Sequence, residues 1–155
     1  RPFVAVMGGA KVADKIQVIS NLLTKVDVLV VGGAMAYTFL KVEGVNVGSS
    51  RVETVVEDKK GAKIDVFELV REIFDLARRR GVDLLLPLDH VEADRFAPDA
   101  RTRIVPRDGI EEGWMGMDIG PRTIELYSER IRAAGTAVWA GSEVRPFTSR
   151  ATRFR

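Results

Sequence analysis

Lys11 and Lys15 are the residues of this chain best placed to do chemistry. They follow a glycine pair, Gly8-Gly9, which itself follows the apolar run Phe3-Val4-Ala5-Val6-Met7. A strand, a glycine turn and an opening helix, in that order, make a seat for phosphate. Glycine lets the backbone turn sharply and approach a ligand, and a new helix presents free N–H groups and the positive end of its dipole toward the strand's carboxyl end. Lys11 and Lys15, four positions apart, share one face of such a helix and reach the same anion. A plainer reading stays open, in which Gly8 and Gly9 only permit tight packing and both ammonium groups are solvated, because neither GxxxxGK[ST] nor GxGxxG is present.

The same device recurs 24 residues further on, where Gly32-Gly33-Ala34 follows the apolar run Val28 to Val31 and Met35-Ala36-Tyr37-Thr38-Phe39 opens another helix. In open parallel sheets ligands sit beyond the carboxyl ends of the strands, so two glycine turns on one edge outline a crevice suited to a nucleotide.

The elements that must hold these turns follow from periodicity. Val12, Ile16, Ile19 and Leu23 keep helical spacing, which predicts a helix over 12–24. The run 28–31 has no polar alternation and belongs inside a sheet covered on both faces. The helix from Met35 is short, because Gly44, Asn46 and Gly48 cannot sustain it, and 49–60 reads as a loop. Val66, Val70, Ile73, Phe74 and Ala77 mark the next helix. Arg78-Arg79-Arg80 and Gly81 close it, cations at its negative end and glycine just past it.

A third strand, 82–86, stops at Pro87 and leaves Leu88-Asp89-His90 just beyond it. His90 is the chain's single histidine and reads as a hydrogen-bonded structural residue, while Asp89 and Asp94 read as solvated loop carboxylates. Residues 91–112 form an excursion with one short strand at Ile104-Val105, and Gly113 to Pro121 a glycine-rich bend at the mouth of a helix. Pro121 suits that helix's first turn, Ile124, Tyr127, Ile131 and Ala134 form its buried stripe, and 136–139 is a fourth strand.

Composition bounds the function. The 155 residues are 46% hydrophobic and 30% charged, as in a soluble globular domain. A net charge of +2 is too slight to argue for nucleic acid or lipid as a partner, and the absence of cysteine removes disulfide and thiolate-metal chemistry. No apolar run approaches the roughly 18 residues of a membrane span, and no signal-peptide layout is present. Starting at Arg1 without an initiator methionine, the chain reads as a piece of something longer.

Four motifs in order, GGAKVADK, KVDVLVVGGAMAYTFLK, LLLPLD and GWMGMDIGP, resemble phosphoglycerate kinase, specifically its C-terminal, nucleotide-binding half, from Arg1 to about Trp139. The resemblance implies an α/β fold, a three-layer Rossmann-like parallel sheet with helices on both faces, here incomplete. Residues 1–141 would be that partial domain and 142–155 a basic, loose tail. The implied activity is reversible phosphoryl transfer between 1,3-bisphosphoglycerate and ADP, a cytoplasmic step of glycolysis that uses ATP/ADP with Mg2+, with the phosphoglycerate held by a missing N-terminal half. By match, Lys11 and Lys15 would be catalytic, Lys15 toward the phosphoryl group in flight. Gly9 and Ala10 would stand beside them, with Gly32, Gly33 and Ala34 as the adenine floor, Tyr37 offering an aromatic side chain and Gly116 in the opposite wall; no metal ligand carries over.

The family follows its last strand here with WNGP, whereas this chain reads WAGSEVRPF, so Ala140 and Ser142 lose the matching groups. The later glycine-rich motif, whose aspartate holds the magnesium nucleotide, is missing as well. These departures predict an isolated chain without activity and with exposed apolar surface that promotes self-association. Two other classes stay open on the residues: a non-catalytic nucleotide-binding or interaction remnant, and a dinucleotide-dependent oxidoreductase, the latter weakened by the missing GxGxxG.

Overall fold

The structure, a computed structural model, describes residues 1–141. In chain order its elements are β1 (Phe3–Met7), a 3₁₀ turn (Ala13–Lys15), α1 (Ile16–Leu23), β2 (Val28–Val31), α2 (Met35–Val42), β3 (Val55–Glu57) and β4 (Lys63–Asp65). Then come α3 (Val66–Arg80), β5 (Asp83–Leu85), β6 (Asp89–Ala93), β7 (Thr102–Pro106), β8 (Met115–Ile119), α4 (Pro121–Arg132) and β9 (Thr136–Ala140).

The four apolar runs pair in the order β5-β2-β1-β9, all parallel, with Val4 beside Val28 and Phe3 beside Thr136. Side chains alternate across a strand, so runs without polar residues must be covered on both faces. Ala5, Met7, Leu29 and Val31 pack with α1, α2 and α3 on one face, while Val4, Val6, Val28 and Val30 pack with Tyr127 of α4 on the other. Each of these valine, leucine and methionine side chains contributes roughly 1.5–3 kcal/mol by leaving water. The result is the three-layer α/β arrangement with helices on both faces that the sequence implied.

Helix ends are fixed by short-range chemistry. Asp65 caps α3 by accepting from the N–H groups of Phe67 (3.0 Å) and Glu68 (3.3 Å). Gly81 ends α3 in the left-handed region at φ 68°. Asp75 pairs with both Arg78 and Arg79, so the arginine run is a helix terminus. For α4 the cap comes from elsewhere in the chain, because the N-cap residue Gly120 has no side chain. The Asp89 carboxylate, at the start of β6, accepts from Arg122 N (3.0 Å), Thr123 N (2.9 Å) and Thr123 Oγ1 (2.6 Å). A Cβ on Gly120 would stand inside that carboxylate. On the same helix the Tyr127 hydroxyl donates to the carbonyls of Val31 (2.7 Å) and Leu85 (3.3 Å), tying the carboxyl ends of β2 and β5 to α4.

Five expectations are corrected. The 49–60 loop contains β3, paired antiparallel with β4. The excursion 91–112 contains parts of two strands, β6 and β7, and the bend at 113–121 contains a third, β8. These three form an antiparallel sheet in the order β7-β6-β8, with a register break between Val91 and Glu92. Their sequences lack a clean apolar alternation because β7 is largely exposed and β8 half-buried throughout, so pairing between distant segments decides their form. Asp89 is 3% exposed rather than solvated, because it caps α4. Helix 12–24 begins as a 3₁₀ turn, and α1 starts only at Ile16. The tail expected at 142–155 lies outside the described residues.

The Asp89 cap yields the first prediction. Burial pushes its pKa up, but the hydrogen bonds from Thr123 and Arg122 outweigh burial and hold it below the ordinary value. A carboxylate so stabilised contributes fully above its unfolded pKa of about 3.9 and loses the contribution as pH falls through the lower folded value. Asp89→Ala is expected to lower the unfolding free energy at pH 7 by about 1–2 kcal/mol. The gap to wild type should shrink in denaturant titrations carried down through the acid range, and a gap of constant size would refute the cap.

Candidate functional site

Parallel pairing puts the carboxyl ends of β1, β2 and β9 on one edge, and the two glycine turns meet there. Gly8 N–H donates to Ala140 O (3.1 Å) and Gly32 N–H to Met7 O (2.8 Å), so each turn leaves its strand still bonded to its neighbour. The carbonyl of Gly9 then accepts the N–H of Met35, the first residue of α2, at 2.9 Å. Gly33 has φ 69°, and a Cβ on it would lie 2.8 Å from Gly9 N and 2.9 Å from Gly9 O. The first and second turns are therefore interlocked backbone against backbone, and glycine is required at Gly33 both for its conformation and for the space.

Lys11 lies in the turn itself and is exposed, whereas Lys15 stands at the N-cap of α1 and is half-buried. The expectation that both share one helical face is corrected, because helix begins only after Lys11. Among the described residues neither lysine is in an ion pair, and the backbone N–H groups of Ala10 and Lys11 have no acceptor. Ala10 and Lys11 open into a cleft of about 320 Å³ lined also by Arg51, Val52, Glu53 and Thr54. Arg51 is exposed and likewise outside any ion pair among the described residues. The cleft thus sets two cations and unbonded N–H groups, the donor types that suit an anion, beside the Glu53 carboxylate.

Gly32, Gly33 and Ala34 form the second turn, with Ala34 as the N-cap of α2. Tyr37, one turn along α2, is 4% exposed. Its ring lies against Gly116 of β8, which has no room for a Cβ, and is tilted 51° to the His90 ring with centroids 5.5 Å apart. Tyr37 therefore packs inside the wall and joins Gly116 to α2; it does not offer a free aromatic face. Burial, followed by the nearby Asp118 carboxylate, pushes the Tyr37 phenol up out of reach of physiological pH.

His90 is fully buried, its Nε2–H donating to the carbonyl of Arg107 at 3.0 Å, and burial pushes its pKa down, so the ring is neutral. It is a structural histidine. Asp94 is paired with Arg101 at 2.9 Å. Among the described residues no three His, Cys, Asp or Glu side chains group as metal ligands.

Sequence reasoning missed the segment 47–54, which crosses the site. Ser49 N–H donates to Trp114 O (2.8 Å), and Ser50 Oγ accepts from Gly116 N (2.8 Å). Glu53 N–H donates to Thr38 Oγ1 (3.1 Å), and Glu53 Oε1 accepts from Ala13 N (3.1 Å). The available signal was Ser49-Ser50 followed by Arg51 and Glu53, polar residues too dense for a simple spacer, but nothing local says what they reach.

Comparison with known proteins gives these motifs a context. The family model for phosphoglycerate kinase matches residues 1–144. Over 141 residues, 91% of this chain, the sequence is 50% identical to the phosphoglycerate kinase of Gloeobacter violaceus and covers 35% of its length. It is 52% identical over 141 residues to that of Clostridium botulinum and covers 33% of its length. The structure of phosphoglycerate kinase from Coxiella burnetii superposes with a TM-score of 0.81 at 36% identity, over 91% of this chain and 34% of that one. The Pyrococcus horikoshii enzyme, at 24% identity and a TM-score of 0.66, shares the fold. The chain thus spans about a third of the length of the curated relatives it matches.

The interlock of the turns is testable without a ligand. Gly33→Ala places a methyl group against the Gly9 backbone and forces a positive φ on alanine. It is expected to cost about 1–3 kcal/mol in chemical denaturation, with Gly8→Ala, whose added Cβ would meet nothing within 4 Å, costing less. Equal losses for the two variants would count against the interlock.

Proposed function

The chain belongs to the phosphoglycerate kinase family, and from that premise we propose that it is the nucleotide-binding part of such a kinase. The observation that carries the proposal is the meeting of two glycine turns on one sheet edge, with Lys11, unpaired, opening into the cleft beside them. ADP or ATP would lie with its phosphates toward Gly9, Ala10, Lys11 and Lys15 and its adenine over Gly32, Gly33 and Ala34, with Gly116 in the far wall. In the complete enzyme 1,3-bisphosphoglycerate would pass a phosphoryl group to ADP, leaving 3-phosphoglycerate and ATP, in the cytoplasmic pathway of glycolysis.

The chemistry asks little covalent work of the protein. Negative charge spreads over the three equatorial oxygens of the phosphoryl group in flight, and a fixed cation aimed at them lowers the barrier. Lys15, held at the start of α1, would take that role and Lys11 would hold the phosphates that do not move. When bound with the nucleotide, Mg2+ would add neutralising charge. No cluster of carboxylates among the described residues fits it as a resident ion, so it would arrive on the nucleotide. The phosphoglycerate must be presented in line and away from water by residues outside the third of the relatives' length that this chain matches. Alone, the chain would bind nucleotide and transfer nothing. Val138 and Trp139, 38% and 63% exposed on the strand β9, would favour self-association at high concentration. No helix among the described residues is long and apolar enough to cross a membrane.

Calorimetry with Mg-ADP on the wild type and Lys15→Ala, beside a coupled kinase assay, tests this reading. Loss of one charge-assisted hydrogen bond to phosphate should weaken binding by roughly one to two decades, about 1.5–3 kcal/mol. The isolated chain should give no turnover. Unaltered affinity in the variant, or phosphoryl transfer by this chain alone, would overturn the proposal.

A further inference from the structure

The cleft beside Lys11 contains a carboxylate, Glu53, where an anion is expected. A fixed negative charge there repels phosphate, so its presence calls for a compensating role. Glu53 forms no ion pair among the described residues; its Oε1 accepts the N–H of Ala13, which lies between Lys11 and Lys15, at 3.1 Å. The Glu53 backbone is itself anchored, its N–H donating to Oγ1 of Thr38, a fully buried residue of α2. The start of α2 is in turn bonded to the first glycine turn through Met35 N and Gly9 O. These links close a ring: first turn, α2, Thr38, Glu53, Ala13 and back to the first turn.

We propose that Glu53 is a positioning residue that latches the Lys11–Lys15 segment to α2, setting where the two ammonium groups stand relative to the second glycine turn. The proposal rests on the nucleotide-binding reading above. Without the latch, the segment between Gly9 and α1 has no other side-chain hydrogen bond to hold it among the described residues, and the lysines would sample positions away from the phosphates. A further consequence is that the first N–H of the 3₁₀ turn is already taken by protein. The phosphates are therefore met by lysine side chains and by the free N–H groups of Ala10 and Lys11 rather than by that helical end.

Latch and repulsion predict opposite signs, which makes the role measurable. Glu53→Ala removes both the acceptor and the charge, whereas Glu53→Gln removes the charge and keeps an oxygen that accepts from Ala13 N–H. If positioning dominates, Glu53→Ala weakens Mg-ADP binding about three- to tenfold, the scale of one hydrogen bond. Glu53→Gln should then bind as well as the wild type or better. Adenosine, which lacks the phosphates, should bind all three proteins alike, a result that a general loss of folding could not give. The inference falls if Glu53→Ala tightens ADP binding as Glu53→Gln does, or if adenosine affinity drops in step with ADP. Failure of the wild type to bind ADP would overturn the nucleotide reading and this inference together. Binding that responds to Lys15→Ala but not to Glu53→Ala would overturn this inference alone.

Discussion

The hydrogen bond from Met35 N–H to the Gly9 carbonyl, with Gly33 lying against the Gly9 backbone, is the contact on which the site depends. It joins the turn after β1 to the start of α2, so the carboxyl edge of the sheet becomes one surface instead of two independent loops. A side chain at Gly33 would force these backbones apart, and the distance between the lysine turn and the second glycine turn would no longer be fixed. Backbone-to-backbone contact also has little freedom to relax, because neither partner has rotamers to adjust. That stiffness would suit the proposed role, in which charge is held in place while a phosphoryl group moves.

The opposite face of the sheet serves the same edge from behind. Asp89 caps α4 across a gap in sequence, and Tyr127 of α4 donates to the ends of β2 and β5. Through these groups the antiparallel sheet and α4 are bound to the parallel sheet by buried polar contacts as well as by apolar packing. Each partner is satisfied, and removing either would leave a buried donor or acceptor unpaired. Gly120 and Gly116 are explained by the same economy of space, one making room for the Asp89 carboxylate and the other for the Tyr37 ring.

Within the small sheet a buried acid needs its own partner. Glu92 is fully buried and pairs with Arg103, whose guanidinium lies 3.8 Å from the centre of the Trp114 ring, while the other Glu92 oxygen accepts from Glu111 N at 3.2 Å. A carboxylate without these contacts would be strongly disfavoured there. The network fixes the segment that carries Trp114, and Trp114 O in turn holds Ser49 N–H. The crossing segment 47–54 is thus anchored at the small sheet by Ser49 and Ser50 and at the lysine turn by Glu53.

The four parallel strands, the stop of α3, and the candidate lysines and glycines were legible in the sequence by itself. Their determinants are local: unalternated apolar runs must be buried on both faces, glycine after a helix takes the left-handed conformation, and glycine pairs after strands permit a sharp turn. Only the tertiary structure decided that Asp89 is a helix cap, that Tyr37 is enclosed by Gly116 and His90, that β6, β7 and β8 form a sheet, and that Glu53 reaches Ala13. Each of those roles is a polar or close-packed contact between residues far apart in the chain. Side-chain type limits what a residue can bond to, but the partner is chosen by which backbone groups the packed sheet and helices bring within about 3 Å.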